Sequence, residues 1–492
     1  MDAPTSQALD DKSLLKHCEK HLAKLSFLSE KTRNLLQGEI KAAKADSEAD
    51  SAKPFTDPGR VKCLWRELLI DAIHALKVRD KREKAQIQNF DVSDENKKTR
   101  ARPQNVYGIS ALWEYFEALT EFERVLYGSQ ASYRDHVIHM LRVWLVGVYI
   151  LTGFSSVEDL EIHLAPGKPQ SKDAVSTACA VTPEERWAMW TVAALCHDLG
   201  YPLEKTHRIN DEIDRMLSHF GNISSGRYTY SFQTQHRSLN EIMLRLVSSK
   251  VRQIKAPEGS TPDKLANSGK YQTAQQWKYY VKFAHSFEEL KHGIISCLVL
   301  IKTLVYFMEA DYDPNRDGRL TLEDARQFCI RNQILRAIAS HTCPEVYHLQ
   351  INTLSFLLIL CDELQQWGRP TFEDMKFRGG GLDEPGDVSI TQCDLKKGMF
   401  SATIKYKSTA ANEKFIRDRF LLFHELMRPA IADTQRSIKK FEWRVESKAA
   451  SEPSYLLCYE SGKPPFEELS ATKVSRGRRD DWLSELFKWE KS

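Results

Sequence analysis

Apolar residues recur every three or four positions along most of the first 370 residues, the spacing of helices that bury one face. From Ser13 to about Lys44, leucines at this spacing are set among Lys and Glu, which predicts a polar amphipathic helix. Residues 45–58 (ADSEADSAKPFTDP) are small, acidic and Pro-containing, as in a linker. Residues 61–78 (VKCLWRELLIDAIHALKV) predict a second amphipathic helix, and residues 79–102 are too charged and too poor in apolar side chains to bury a face.

From Tyr107 to Pro370 the helices become strongly apolar. They are ALWEYFEALTEFERVLY, HVIHMLRVWLVGVYILTG, PEERWAMWTVAALCHD, RSLNEIMLRLVSSK, FEELKHGIISCLVLIKTLVYFM, LEDARQFCIRNQILRAIASH and NTLSFLLILCDELQQWG. Two polar insertions, residues 221–230 and 256–275, read as loops that could cover a site. Beyond Pro370 the period changes. DVSITQCD and MFSATIKYK alternate like strands around the turn LKKG, NEKFIRDRFLLFHELMRPAIADTQRSIK is helical with Pro429 as a break, and FEWRVES and SYLLCYE are further strands. The chain is thus expected to be mainly α. An N-terminal helical region with polar linkers spans 1–104, a helical core spans 105–372, and a small α+β domain spans 373–492.

Composition narrows the functional classes. The 492 residues carry 70 Lys and Arg against 67 Asp and Glu, so no global basic field favours nucleic acid as a partner. No uninterrupted apolar run of about 18 residues predicts a membrane span, and MDAPTSQALDDKSLLKH does not read as a secretory signal. The ten cysteines are scattered and include no CxxC pair, a usage expected of reduced thiols in the cytoplasm.

The chemistry sits at the edges of the apolar helices. His197 and Asp198 end AMWTVAALCHD, just before Gly200 and Pro202, and burying such a pair is costly without a partner. His136 starts an apolar helix, His292 lies in KHGIISCLVLIK, His341 ends ILRAIASHT, and Asp362 lies in FLLILCDELQQWGRP. Four imidazoles and two carboxylates suit a two-metal site. One carboxylate, for which Asp198 is the candidate, can bridge the ions. Without thiolates such a set fits Mn, Fe, Ni, Co or Zn and does not choose among them. Ions in such sites share a bridging hydroxide that attacks phosphorus in line.

The ordered H…HD…H…H…D set resembles the HD-domain superfamily of metal-dependent phosphohydrolases. The resemblance covers about half the chain and extends to the contexts HGxxS at His292, AIxxHT at His341 and DELxxWGRP at Asp362. It implies a helical HD core with metal ligands His136, His197, Asp198, His292, His341 and Asp362. The implied activity is hydrolysis of a phosphoester or phosphoanhydride, as in a nucleotide or another phosphorylated small molecule, and a homo-oligomer is compatible with it. Many HD enzymes carry a Lys three residues after the dyad; here that position is Tyr201, and the GYP form looks like the nucleotide triphosphohydrolase branch. Asp198 is therefore accompanied by Lys205, His236 and Arg369 as candidate catalytic or phosphate-binding residues. Two other classes share these features. Mixed-valent di-iron oxygenases resemble the same ligand pattern, and a sensor could bind a nucleotide without turning it over.

A second metal motif lies within the core. Residues 313–324 fit an EF-hand loop, with Asp313, Asn315, Asp317, Arg319 (through its carbonyl), Thr321 and Asp324 as ligands for Ca²⁺. Asp324 stands where a bidentate Glu is usual, and its shorter side chain predicts weaker affinity or a shift toward Mg²⁺. The alternative is a metal-free Asp/Asn/Gly turn between two helices.

Overall fold

The structure is a computed structural model. It describes residues 8–44, 54–77, 108–127, 136–162, 181–221, 234–253, 271–308, 319–320, 322–348, 350–367, 385–406, 422–423, 426, 438–447 and 455–460. It is mainly helical and divides into two compact units. The larger comprises residues 11–346 and 352–365; the smaller comprises 1–10, 347–351 and 366–492.

The core of the larger unit is built on helix α5. In chain order the preceding helices are α1 (Asp11–His21), α2 (Glu30–Lys44), α3 (Pro58–Lys77) and α4 (Ile109–Tyr127), and α5 is His136–Gly153. Helix α5 is long and apolar enough to cross a membrane by composition, but 83% of it is buried inside the protein, as expected of a central core helix. Its neighbour α6 (Pro183–Cys196) starts at a capping box between Thr182 and Glu185, with Pro183 in the first turn. The α5–α6 crossing is close because Gly147 lacks a side chain: a Cβ there would overlap the Trp190 indole. Two indole bonds lock it. Trp190 donates to the Trp144 carbonyl at 3.2 Å, and Trp144 donates to Thr191 Oγ1 at 3.0 Å.

Helices α1, α2 and α3 belong to the same unit as the core helices. The reason is the apolar face of α3. Trp65 is buried, stacks on Phe116 of α4 at 3.9 Å and donates to the Leu195 carbonyl at the end of α6 at 2.9 Å. Arg142 of α5 likewise reaches Asp11 of α1 at 2.7 Å.

After α6 come α7 (Tyr201–Leu217), α8 (Thr234–Ser248), strands β1 (Ser249–Gln253) and β2 (Tyr271–Gln275), and α9 (Trp277–Glu288). They are followed by α10 (His292–Thr303), α11 (Val305–Met308), β3 (Arg319–Leu320), α12 (Leu322–Ser340) and α13 (Leu354–Leu364). Two expectations are corrected here. Residues 271–275, read as loop, form the middle strand of a three-stranded antiparallel sheet in which Tyr271 pairs with both Gln253 and Leu320. Residues 287–308, read as one helix, are broken twice. Leu290 adopts a positive φ of 54°, and α10 ends at Leu304 in extended backbone. An unbranched apolar pattern cannot reveal such a break, because periodicity reports the buried face and not the backbone dihedral.

In the smaller unit, β4 (Pro385–Asp394), β5 (Met399–Tyr406), β6 (Lys440–Ser447) and β7 (Tyr455–Glu460) form one sheet in that order. The expected strands and turn are present, with Gly398 supplying the positive φ of 70° in LKKG. The β5–β6 pair is parallel and the others antiparallel. Alternation puts Val388, Ile390, Phe400, Ala402, Ile404, Phe441, Trp443 and Val445 on the buried face. Phe423 packs on Trp443 at 4.7 Å between ring centroids; the rest of the expected helix around it lies largely outside the described residues. Residues 347–351 belong to this unit although they lie between α12 and α13, and the His348 N–H donates to the Leu426 carbonyl at 2.7 Å.

Candidate metal centre

Five elements of the larger unit deliver polar side chains to one place. Helix α5 supplies His139, the turn after α6 supplies His197 and Asp198, and the first residue of α10 is His292. His341 follows the end of α12, and Asp362 lies in the last turn of α13. His139, His197 and Asp362 offer ligand atoms within 4.8 Å of one another, as do His197, Asp198 and His341. These groups could hold a metal ion.

The geometry centres on Asp198. Its Oδ2 faces His197 Nε2 at 3.4 Å and His139 Nε2 at 3.5 Å. Its Oδ1 faces His292 Nε2 at 3.2 Å and His341 Nε2 at 3.6 Å. Asp362 Oδ1 closes the first pair, 2.9 Å from His139 Nε2. The imidazoles form a continuous arc, with ring centroids 5.3 Å apart for His139–His197 and 5.0 Å for both His197–His341 and His341–His292.

Each of the four rings is held from behind. His139 Nδ1 lies 2.6 Å from Gln365 Oε1, His197 Nδ1 2.8 Å from the Ala194 carbonyl, and His341 Nδ1 2.5 Å from the Ile338 carbonyl. His292 Nδ1 lies 2.6 Å from Glu204 Oε2. A carbonyl or carboxylate oxygen can only accept, so Nδ1–H donates in each case and the Nε2 lone pair faces inward. His197 Nε2 and His341 Nε2 are buried with no hydrogen-bond partner. Buried polar atoms are rarely left so, and two inward lone pairs beside a carboxylate fit a cation.

The structure explains the motif contexts around these residues. A Cβ at Gly200 would overlap the His292 carbonyl oxygen, and one at Gly293 would overlap the Ile338 carbonyl oxygen and the Thr342 hydroxyl. The Ser296 hydroxyl accepts the Gly200 N–H at 2.7 Å and donates to the His197 carbonyl at 2.7 Å, with the His292 carbonyl 2.8 Å away. Thr342 Oγ1 accepts the Gly293 N–H at 3.1 Å. The residues of HDLG, HGxxS and HT thus hold α10 against the dyad and against the end of α12.

Electrostatics favour added positive charge. Burial alone would push the Asp198 carboxyl up, but the neighbouring His197 imidazole first, with His292 and His341 beside it, holds it well below the usual carboxylate range. Burial is likewise outweighed at Asp362, where His139 is the main partner, and its carboxyl is held low. Against the same burial, Asp198 raises His197, and Asp198 with Glu204 raises His292 to about 9. Burial dominates at His341 and lowers it. Two buried carboxylates are thus kept ionised by the imidazoles around them, and a divalent cation could balance their charge in the same place.

His136 does not join the cluster. The first residue of α5, it donates its backbone N–H to Glu123 Oε1 at 3.0 Å and places Nδ1 2.7 Å from the same oxygen. Its ring lies against Tyr201, 3.7 Å between centroids. His139, one helical turn further into the apolar run, takes the place assigned to His136. The signal was present as the HxxH spacing, since residues three apart lie on neighbouring parts of one helix face. Glu204 and Gln365 were also missed; their role depends on contacts to residues 88 and 226 positions away, which no local pattern encodes.

Lys205 lies on α7 with its ammonium 4.6 Å from the Tyr201 ring centroid, and Tyr201 packs edge-on to His292 at 5.7 Å. The candidates His236, whose side chain lies outside the described residues, and Arg369 are not placed. Of the EF-hand-like loop, Asp313, Asn315, Asp317 and Thr321 lie outside the described residues, as does the Arg319 side chain. Arg319 and Leu320 form β3, and Asp324 sits in the first turn of α12. The entering helix is not continuous, since it breaks at Leu304.

Comparison of the chain with models of protein families, with curated proteins and with solved structures gave no match.

Proposed function

We propose that this chain is a metal-dependent hydrolase of phosphorylated compounds. In particular, we read it as a binuclear HD-type phosphohydrolase that cleaves a phosphoester or phosphoanhydride of a nucleotide. The observation that carries this reading is the division of the histidines between the two oxygens of Asp198. His139, His197 and Asp362 with Asp198 Oδ2 would hold one ion, and His292 and His341 with Asp198 Oδ1 the other. When bound, divalent ions activate water and neutralise charge on phosphoryl oxygens.

The remaining work falls to the chain itself. The Nδ1 anchors hold four rings in one tautomer, so the donor set is preorganised and costs little to assemble. The side chains of His292 and Asp362 are 20% and 23% exposed, whereas that of His197 is fully buried, so a substrate approaches on the side of His292 and Asp362. Lys205, seated on the face of Tyr201 beside His292, supplies a cation for phosphate where the usual lysine is absent. The GYP sequence and its resemblance to nucleotide triphosphohydrolases support a nucleotide as the substrate.

The test pairs metal analysis of the purified full chain with a phosphate-release screen over nucleotides, cyclic dinucleotides and dinucleoside polyphosphates. Metal-dependent release of phosphate from one class, without O₂, is expected. O₂ consumption with a mixed-valent EPR signal and no phosphate release would overturn the reading in favour of an oxygenase. A nucleotide that raises the melting temperature but is never cleaved would overturn it in favour of a sensor.

A further inference from the structure

Glu204 treats His292 differently from the way the other cluster histidines are treated. His139 rests on an amide oxygen, and His197 and His341 rest on backbone carbonyls of their own helices. Only His292, among these four, rests on a carboxylate. Glu204 Oε2 accepts both its Nδ1–H at 2.6 Å and its backbone N–H at 3.0 Å.

That double contact does two things at once. The residue before His292, Lys291, makes no side-chain cap to α10, so the Glu204 carboxylate satisfies a free N–H of the first turn and complements the helix dipole. It also fixes the tautomer of the imidazole and makes Nε2 a stronger donor. Glu204 rides on α7, which begins at Tyr201, three residues after Asp198. The chain Glu204–His292–Asp198 Oδ1 therefore ties one half of the cluster to the dyad. His341, the other histidine on Oδ1, is anchored to its own helix by Ile338, and the Oδ2 half does not touch Glu204 in any of these contacts.

We infer that Glu204 is a positioning residue for one ion only: through His292 it sets the affinity of the half-site on Asp198 Oδ1 and leaves the half-site on Oδ2 unchanged. This rests on the two-ion reading above. It implies that the two ions load unequally, the Oδ2 ion first, since that half has four protein ligands and the other has three. The Oδ1 ion is the exchangeable one, and its occupancy is set by Glu204.

The test is Mn²⁺ binding to the metal-stripped full chain, followed by calorimetry and by metal analysis after gel filtration. Wild type is expected to take up two equivalents. Glu204→Gln keeps an acceptor for Nδ1–H but not the charge, and should weaken the second equivalent about 10-fold; Glu204→Ala should weaken it toward about 100-fold. Both should retain the first equivalent with wild-type affinity and wild-type far-UV circular dichroism. A second equivalent of unchanged affinity in both variants would overturn the role of Glu204. So would loss of the first equivalent along with the second in the folded Gln variant. Fewer than two equivalents on wild type would overturn the two-ion reading itself, and the role of Glu204 with it.

Discussion

Asp198 presents Oδ1 to His292 Nε2 at 3.2 Å, the oxygen opposite the one that faces His197. A carboxylate buried among imidazoles could have made one strong ion pair and left the other rings to the backbone. Here it serves two pairs of rings in opposite directions, so a single substitution reaches both.

Asp198→Asn should therefore abolish uptake of both ions, whereas His341→Ala should abolish one. Metal analysis of the purified variants checks this. Hydrolysis by Asp198→Asn should fall by more than the roughly 10–100-fold that a change in an outer hydrogen-bond partner costs. Two ions retained by a folded Asp198→Asn protein would remove the basis for a shared carboxylate.

The two histidines of α5 should separate cleanly. His139→Ala should lose metal while the helix stays folded, because its Nε2 faces Asp198 and Asp362. His136→Ala should keep the metal and lose about 1–3 kcal/mol of stability, since it leaves the buried Glu123 carboxylate without its ring partner. Metal content and denaturant titration of the pair give the answer, and the reverse pattern would return the ligand role to His136.

Gly293→Ala should destabilise the larger unit by about 1–3 kcal/mol, because the new methyl meets the Ile338 carbonyl and the Thr342 hydroxyl where α10 and α12 come together. Thermal unfolding measures it. A stability equal to wild type would show that α10 can move away from α12 at little cost.

The smaller unit should weaken in mild acid. Burial lowers His348 from its usual value to about 4. In the unfolded chain this ring takes up its proton near 6.5, so the unfolded state binds more protons between those values. Stability is then full above about pH 6.5 and falls as the pH drops toward 4, by up to about 3 kcal/mol. Hydrogen exchange of β4–β7 in the full chain follows this region directly. His348→Phe should flatten the dependence, and an unchanged slope would mean that other groups carry it.

Much of this is legible in the sequence. Helix existence, the strand pattern after Pro370 and five of the six cluster residues follow from periodicity and from polar residues at the ends of apolar runs. What escaped has a common physical cause. His139 is buried in the first turn of an apolar helix, three residues past the histidine that starts it, where a second histidine reads as core. The break at Leu290 is a backbone event without a sequence marker, and it turns His292 from a mid-helix residue into a helix start. The strand at 271–275 sits in a polar stretch and owes its form to partners at 249–253 and 319–320 rather than to its own pattern.

The path of the chain between His341 and Asp362 has a practical consequence. Five residues there, 347–351, fold with the C-terminal unit, and the candidate ligands on either side fold with the helical one. The two units are interleaved in sequence rather than strung end to end. A protein cut after residue 372 would keep all six candidate ligands yet lose Leu426, whose carbonyl holds the backbone of His348 between two of them. Truncation should thus lower metal uptake without removing a candidate ligand.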